Sequence, residues 1–177
     1  KKQSGDPLAE SYDIALVRVD NRLVHGQILE AWVPFVEARC IMVVDDNSAS
    51  DFFCETVIRM AVPSDIEVNI CSVDDFAANY AYVRGSGKKT IVLFGRIADA
   101  LKAYEQGFHF EALNIGNIYH EDYKVCCAPS VFLCEPEIAD IIRLQREKGV
   151  AVEVKRVPRE KAVDIQDALK ASCDSKP

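Results

Sequence analysis

Residues 13–33 have the sequence DIALVRVDNRLVHGQILEAWV. A run of strand length, Asp13 to Val19, leads into a polar turn, and a run of helical length, Gly26 to Val33, follows it. The turn contains one histidine, His25, with a glycine directly after it. A strand that enters a helix through such a turn is typical of an open α/β sheet, in which ligands bind at the carboxyl ends of the strands.

The residues of this turn favour phosphate chemistry. Arginine pairs with phosphate oxygens through its planar guanidinium group, so Arg22 is the first candidate for holding a phosphoryl group. The start of the helix offers the backbone N–H groups of Gly26 and Gln27 to the same anion. Histidine is a nucleophile whose neutral form is well populated near pH 7. The sequence therefore predicts that His25 accepts and donates a phosphoryl group.

Arg18 has two alternative roles that the sequence leaves open. It is the second candidate for holding the phosphoryl oxygens, and it could equally brace the loop through Asp20. Asp20 is expected to orient the loop or an arginine, because a carboxylate and a phosphate repel each other.

Composition limits the classes of function. The chain has 177 residues, of which 49% are hydrophobic and 28% charged, and these values fit one domain with a sizeable core. Its net charge of -7 disfavours nucleic-acid binding, which needs a basic face. Residues 1–12 are polar and predict a flexible extension or an artificial remnant. No apolar run approaches the ~20 residues of a membrane span, so we expect a cytoplasmic protein.

Strand-length apolar runs alternate with helical patterns along the rest of the chain. A helix is predicted over 49–61, capped by Asn47 or Ser48, and a last helix is predicted to open at 158–160 and end near Ala171. Further strands are predicted at 40–44, before the first of these helices, and at 66–71, 90–94, 111–115 and 150–157, between the two. The pattern predicts an α/β fold, with an open, mainly parallel sheet, helices on both faces, and short edge elements near 118–133. We expect residues 13–171 to form a single domain.

Parallel strands place their exit loops at one edge of the sheet. Two loops after predicted strands should therefore lie near the turn that contains His25. The residues predicted to line this phosphate-binding rim are Gly95, Arg96, Asn114 and Gly116.

The seven cysteines do not predict a metal site or a disulfide framework. No C-x-x-C pair occurs, and His109 and His120 show no ligand spacing with any cysteine. We interpret Cys40, Cys54 and Cys71 as small buried hydrophobic residues. No metal and no cofactor is expected.

The string RVDNRLVHGQ over 18–27 resembles the phosphorylation-site signature of the mannose/sorbose-family IIB component of the bacterial phosphoenolpyruvate-dependent sugar phosphotransferase system. Trp32 also fits the family, and the resemblance covers roughly 13–165, including 92–94, 113–117 and 152–158. One departure is Asn21, which stands where aspartate is common in the family.

The resemblance implies a phosphohistidine carrier with protein-N-phosphohistidine–sugar phosphotransferase activity. A phosphorylated IIA domain would give its phosphoryl group to His25, which would pass it to a sugar bound by the membrane IIC and IID proteins. Such a carrier couples sugar uptake to phosphorylation and meets the membrane only through its partners. The family also places rim loops at the regions of Gly95–Arg96 and Asn114–Gly116.

Three alternatives remain beside this hypothesis. The first is a regulatory phosphocarrier of the same family that does not take part in sugar transport. The second is a nucleotide- or phosphometabolite-binding module, which the absence of a G-x-G-x-x-G motif after the first strand disfavours. The third is a metal-dependent hydrolase, for which the sequence lacks a cluster of carboxylates or histidines.

Overall fold

The computed structural model describes residues 13–85 and 87–173; the predicted extension at 1–12 lies outside them. The strands in the described part are β1 (Ile14–Asp20), β2 (Cys40–Val44), β3 (Glu67–Cys71), β4 (Thr90–Phe94), β5 (Ala112–Asn117), β6 (Val125–Ala128), β7 (Val131–Leu133), β8 (Ala151–Val154) and β9 (Val163–Asp164). The helices are α1, which is π-helical over Gln27–Trp32 and α-helical over Val33–Val36, α2 (Asp46–Ser50), α3 (Phe52–Ala61), α4 (Val73–Gly85), α5 (Ile97–Glu105), α6 (Glu135–Arg146) and α7 (Ile165–Cys173).

Seven strands form one sheet in the order β3-β2-β4-β1-β5-β8-β9. Every neighbouring pair is parallel except β8 with β9, which is antiparallel. β2 and β4 are buried along their whole length because helices cover both faces of the sheet. The predicted α/β fold with an open, mainly parallel sheet is confirmed. The carboxyl ends of β1, β4 and β5 meet at one edge, where the loop to α1 begins.

Two apolar cores lie on opposite faces of the sheet. Val17 and Val19 of β1 belong to the larger core, to which α4, α5, α6 and α7 contribute. Leu16 points to the other face and packs against the smaller core, which includes Ile28 and Trp32 of α1. The loop that carries His25 is therefore anchored at both ends, by the central strand and by a buried helix.

The predicted helix over 49–61 is two helices. Asp45 caps α2 by accepting a hydrogen bond from the backbone N–H of Ser48, at 2.8 Å. Asp51 has an extended backbone and caps α3 by accepting the first N–H groups of that helix. The predicted caps are wrong. Asn47 and Ser48 lie inside α2, and the N-cap residues of the two helices are Asp45 and Asp51.

The C-terminal helix begins at Ile165 rather than at 158–160. The chain before it forms a turn in which the Glu160 carboxylate accepts the backbone N–H of Arg156 at 2.7 Å and also binds its guanidinium group. Strand β9 follows this turn and pairs with β8. The local ion pair thus replaces the predicted first helical turn.

The predicted short elements near 118–133 form a hairpin. β6 and β7 pair as a separate two-stranded antiparallel sheet, and the edges of the large sheet are β3 and β9. Ile118 connects this hairpin to β5 through hydrogen bonds with Ser130 and Phe132.

Two other predictions concern single features. Cys40 is buried as expected, whereas Cys54 is exposed, because it lies in the first turn of α3 and its Sγ hydrogen-bonds to Asp51. Among the described residues, no helix combines the length and apolar character that a membrane crossing requires.

Candidate active site

The loop between β1 and α1 holds His25 in a fixed position. Its first residues form a turn in which the N–H of Leu23 donates to the carbonyl of Asp20, and the N–H of Arg22 donates to the Asp20 carboxylate. Leu23 has a left-handed backbone with a φ of 53°, which costs a branched residue of order 1–3 kcal/mol. Its side chain is buried in the smaller core. The packing of Leu23 therefore maintains a backbone shape that the free chain would avoid.

The Asp20 carboxylate is the centre of the site. It is fully buried and accepts hydrogen bonds from Arg18 Nη2 at 2.9 Å, from Arg22 Nε at 3.1 Å and from His25 Nε2 at 2.9 Å. Burial by itself raises the pKa of this carboxyl. The hydrogen bonds from His25 and Arg22 and the charge of Arg18 outweigh burial and lower the pKa of Asp20 to about 2. Asp20 is therefore a carboxylate at neutral pH.

The ionised carboxylate determines which nitrogen of His25 carries the proton in the neutral ring. A carboxylate can only accept a hydrogen bond, so Nε2 must be the donor and Nδ1 must hold the lone pair. The His25 side chain is 17% exposed. The ring is thus oriented by Asp20 through one nitrogen, and the other nitrogen has the electron pair needed for nucleophilic attack.

The start of α1 adds backbone donors beside His25. The N–H groups of Ile28 and Leu29 make the first hydrogen bonds of the helix, to the carbonyl of His25. The N–H groups of Gly26 and Gln27 precede these bonds, and they are the groups of this turn that an anion can use.

The two arginines have different environments. Arg22 is 41% exposed and contacts both Asp20 and the side-chain oxygen of Gln27, at 3.0 Å. Arg18 is fully buried, and it donates to the Asn114 side chain and to the Lys155 carbonyl at 2.8 Å. Its burial favours the bracing role over direct contact with a phosphoryl group.

Asn114 and Gly116 lie against Arg18 rather than on an open rim. Asn114 is buried, and its amide also donates to Glu153 at 3.2 Å. Gly116 leaves the space that the guanidinium group occupies, since a Cβ at this position would overlap Arg18. Both residues shape the pocket in which the buried arginine is held.

Gly95 and Arg96 lie at the end of β4. A Cβ on Gly95 would come within 2.9 Å of an Asp45 carboxylate oxygen, so this position is tight. Arg96 forms a two-point ion pair with Asp99 at 2.9 and 2.8 Å, which raises the pKa of Arg96. The structure therefore assigns Arg96 to the start of α5, outside the hydrogen-bond network of Asp20.

Several supporting groups were not singled out as site residues from the sequence. The carbonyls of Lys155 and Arg156 accept hydrogen bonds from Arg18, and carbonyls leave no signal in a sequence. The indole N–H of Trp32 donates to the Arg156 carbonyl at 2.9 Å, and its ring lies 5.4 Å from the Arg18 guanidinium carbon. Trp32 was visible only as part of the family signature.

Asn21 pairs with Asn117 at the end of β5. The backbone N–H of Asn21 donates to the Asn117 carbonyl at 3.0 Å, and the two side-chain amides hydrogen-bond to each other. An asparagine in place of the common aspartate is accommodated because the amide oxygen still accepts from this neighbour.

A cavity of about 610 Å³ opens elsewhere, along the amino-terminal halves of β1 and β5. Its lining includes Asn114 and Glu153 but not His25, Arg22 or Gln27. The candidate chemistry therefore lies on an exposed loop and not in this cavity.

Comparisons with known proteins identify the family of this chain. A sequence model described as the sorbose subfamily IIB component of the phosphotransferase system matches residues 14–176. The chain belongs to this family. The fructose-specific EIIB component of Bacillus subtilis strain 168 is 30% identical to this IIB component over 158 residues, which cover 89% of this chain and 96% of that protein. The sorbose-specific EIIB component of Klebsiella pneumoniae is 28% identical over 156 residues, which cover 88% and 94%.

Solved structures lead to the same family. The crystal structure of the IIBSor domain of the sorbose permease from Klebsiella pneumoniae matches this IIB component with a TM-score of 0.82 and 28% identity, covering 90% of this chain and 97% of that one. IIB components of the sorbose/mannose type act as phosphotransferases in sugar phosphorylation and work with IIA and membrane IIC and IID partners. The family resemblance expected from residues 18–27 is confirmed.

Proposed function

We propose that His25 Nδ1 accepts a phosphoryl group from a phosphorylated IIA domain and passes it to a sugar bound by the membrane IIC and IID proteins. The observation that carries this proposal is the hydrogen bond between His25 Nε2 and the ionised Asp20, which leaves the lone pair on Nδ1. The carrier acts in the cytoplasm and reaches the membrane through its partners.

The transfer is a displacement at phosphorus. The lone pair of Nδ1 attacks the phosphorus of phospho-IIA, the bond from phosphorus to its IIA donor atom breaks, and the electron pair of that bond returns to the donor. Asp20 balances the positive charge that develops on the His25 ring, through the hydrogen bond to Nε2. In the second step a sugar hydroxyl attacks the phosphorus and loses its proton to water. The bond from phosphorus to Nδ1 breaks, its electron pair returns to Nδ1, and the neutral ring of His25 is released.

Three groups beside His25 can bind the phosphoryl oxygens during both steps. Arg22 is half-exposed and held by Asp20 and Gln27, so its guanidinium group is positioned without being enclosed. The N–H groups of Gly26 and Gln27 add dipoles at the helix start. Arg18 contributes indirectly, as a positioning residue that holds the Asp20 carboxylate in place through a hydrogen bond.

The open position of the site fits transfer between proteins. Phosphoryl transfer between two proteins requires the donor atom and the His25 ring to approach one phosphorus atom, and a ring enclosed in a cavity could not be reached. His25 follows the carboxyl end of the central strand and lies on a loop, which meets this requirement.

The decisive experiment is phosphorylation with phosphoenolpyruvate, the general phosphotransferase proteins and a cognate IIA, followed by intact mass measurement under alkaline conditions. We expect one added phosphoryl group on the wild type and none on His25→Ala. Phosphorus NMR of the product should show attachment at Nδ1. Transfer to His25→Ala from a phosphorylated IIA would overturn the proposal, and a product attached at Nε2 would overturn the role of Asp20.

Arg22 has its own test. Arg22→Ala should slow transfer from phospho-IIA by about a hundredfold, because one cationic contact to the transferring group is lost. Arg39→Ala is the matched control, since Arg39 is also exposed and pairs with an aspartate, Asp65, but lies before β2 at the opposite edge. Equal rates for the two variants in rapid-quench kinetics would remove Arg22 from the mechanism.

A final assay separates transport from regulation. Phosphorylated IIB is mixed with membranes that contain the IIC and IID proteins and with sugar, and sugar phosphate is measured. Transfer to sugar supports the transport role. If no sugar phosphate forms when the phosphorylated protein is mixed with its cognate membranes and sugar, the result would support a regulatory carrier instead.

A further inference from the structure

Three side chains with metal-binding atoms meet at the base of the β6–β7 hairpin. His120 lies between β5 and the hairpin, Cys134 follows β7 directly, and Glu137 lies in the first turn of α6. Their ligand atoms all lie within 4.8 Å of one another. Fourteen positions separate the histidine from the cysteine along the chain, which is why sequence spacing did not predict the group.

Existing hydrogen bonds connect all three ligands. The Glu137 carboxylate accepts the backbone N–H of Cys134 at 3.0 Å, and the N–H of Glu137 donates in return to the Cys134 sulfur. The other Glu137 oxygen is 2.8 Å from His120 Nε2. The Glu137 side chain is 11% exposed and that of His120 is 48% exposed, so one side of the group is open to solvent.

We propose that His120, Cys134 and Glu137 bind a divalent transition metal of the Zn²⁺ class, with a fourth coordination position open to solvent. Imidazole, thiolate and carboxylate are the ligands that Zn²⁺ uses, and three protein ligands with one open position is a common arrangement. Ca²⁺ and Mg²⁺ fit poorly because they require a larger number of oxygen ligands.

Charge and geometry both permit this binding. A thiolate and a carboxylate neutralise the two charges of the ion, and this attraction opposes the unfavourable dipole at the start of α6. Tetrahedral ligands at about 2.0–2.3 Å from Zn²⁺ lie about 3.5 Å apart. The half-exposed His120 ring and the Cys134 side chain need shifts of about 1 Å to reach this spacing.

Binding releases one proton. Cysteine binds a metal as the thiolate, so the Cys134 thiol gives its proton to water when its sulfur bonds to the metal. The His120 ring binds through Nε2, so the proton that Nε2 shares with Glu137 in the metal-free protein goes to water while Nδ1 takes one up, and the ring stays neutral. The metal would connect the two ends of the hairpin, and none of its ligands contacts Asp20 or His25.

Titration of the metal-free protein with Co²⁺ and Zn²⁺ tests the proposal. We expect one metal per chain, and a near-ultraviolet charge-transfer band that reports a bond between Co²⁺ and a thiolate. Cys134→Ser should abolish this band. Cys134→Ser, His120→Gln and Glu137→Gln should each weaken Zn²⁺ binding at least tenfold. The first and third variants keep a side chain that can cap α6, so they retain the fold.

The controls are the proposed catalytic histidine and the two cysteines that are exposed among those whose burial the structure describes. Cys54→Ser, Cys126→Ser and His25→Ala should leave the band and the affinity unchanged. A wild type that gives no thiolate band, or a Zn²⁺ affinity that Cys134→Ser does not change, would overturn the proposal. Since His25 is not a ligand, phosphoryl transfer can fail while this site is confirmed, and the reverse also holds.

Discussion

At the residue scale, Asp20 concentrates the interactions of the site in one buried carboxylate. Its pKa is lowered from 3.8 to about 2, and a shift of this size corresponds to about 2 kcal/mol of stability. Because the folded-state pKa lies below the unfolded value, this stability is complete above about pH 5. It is lost as the pH falls through about 2.

Asp20→Asn should therefore lower the free energy of unfolding by about 2 kcal/mol near neutral pH and by much less near pH 2. Urea unfolding of both proteins over this pH range measures the difference. Asp65→Asn is the control, because it removes an exposed carboxylate paired with Arg39 and should have a small effect at every pH. A constant gap between the wild type and Asp20→Asn over the whole range would contradict the coupling.

Gly116 is the second residue on which the site depends. Gly116→Ala places a Cβ on the guanidinium group of Arg18, so the arginine must move away from Asp20. We expect a loss of about 1–3 kcal/mol in unfolding free energy and slower phosphoryl transfer. Gly26→Ala is the matched control, because its backbone is helical and nothing lies within 4 Å of the added Cβ. A stable, fully active Gly116→Ala would show that the Arg18 side chain can adopt another conformation without loss of stability or activity.

At the element scale, Trp32 connects α1 to the end of β8. Trp32→Phe keeps an aromatic ring near Arg18 and removes the hydrogen bond to the Arg156 carbonyl, with a much smaller loss of buried volume than Trp32→Ala. We expect a loss of about 1 kcal/mol in unfolding free energy by denaturant titration. Trp32→Ala also leaves a cavity, and it should cost about 3–5 kcal/mol. Equal effects of the two variants would mean that the hydrogen bond, rather than the ring, carries the contribution.

The same element shows how far the sequence could predict structure. The strand, turn and helix over 13–33 were predictable because their apolar periodicity is long and clear. Pro34 predicts an end or a kink of this helix near Val33. Helix α1 continues to Val36, and it changes from π- to α-helix at Val33. The turn at 156–160 was missed because an ion pair of Arg156 with Glu160 competes with helix formation, and local propensity does not show which wins.

At the scale of the whole molecule, stability should fall from the centre of the sheet to its edge. β4 is central and buried on both faces, whereas β9 has two exposed residues and forms an edge. We expect the amide hydrogens of β4 to exchange only through global unfolding, and those of β9 to exchange through local opening. Hydrogen–deuterium exchange by NMR measures both. Comparable protection of the two strands would show that β9 unfolds only with the rest of the sheet.

Strand order also explains which parts of the site the sequence could not reveal. His25, Asp20 and both arginines come from one short stretch and were found together. The carbonyls of Lys155 and Arg156 come from the other end of the chain, and they reach Arg18 because β5 lies between β1 and β8. Parallel topology predicted that Asn114 and Gly116 lie near the site, but the sequence did not show that both residues contact the side chain of Arg18.

The close fit of Arg18 over Gly116 has an evolutionary consequence. Any side chain at position 116 collides with the arginine, and a smaller residue at position 18 leaves a buried void and removes the hydrogen bond to the Lys155 carbonyl. A substitution at either position alone is therefore expected to cost stability. We expect the two positions to covary among relatives, so that a side chain larger than glycine at position 116 accompanies a residue smaller than arginine at position 18.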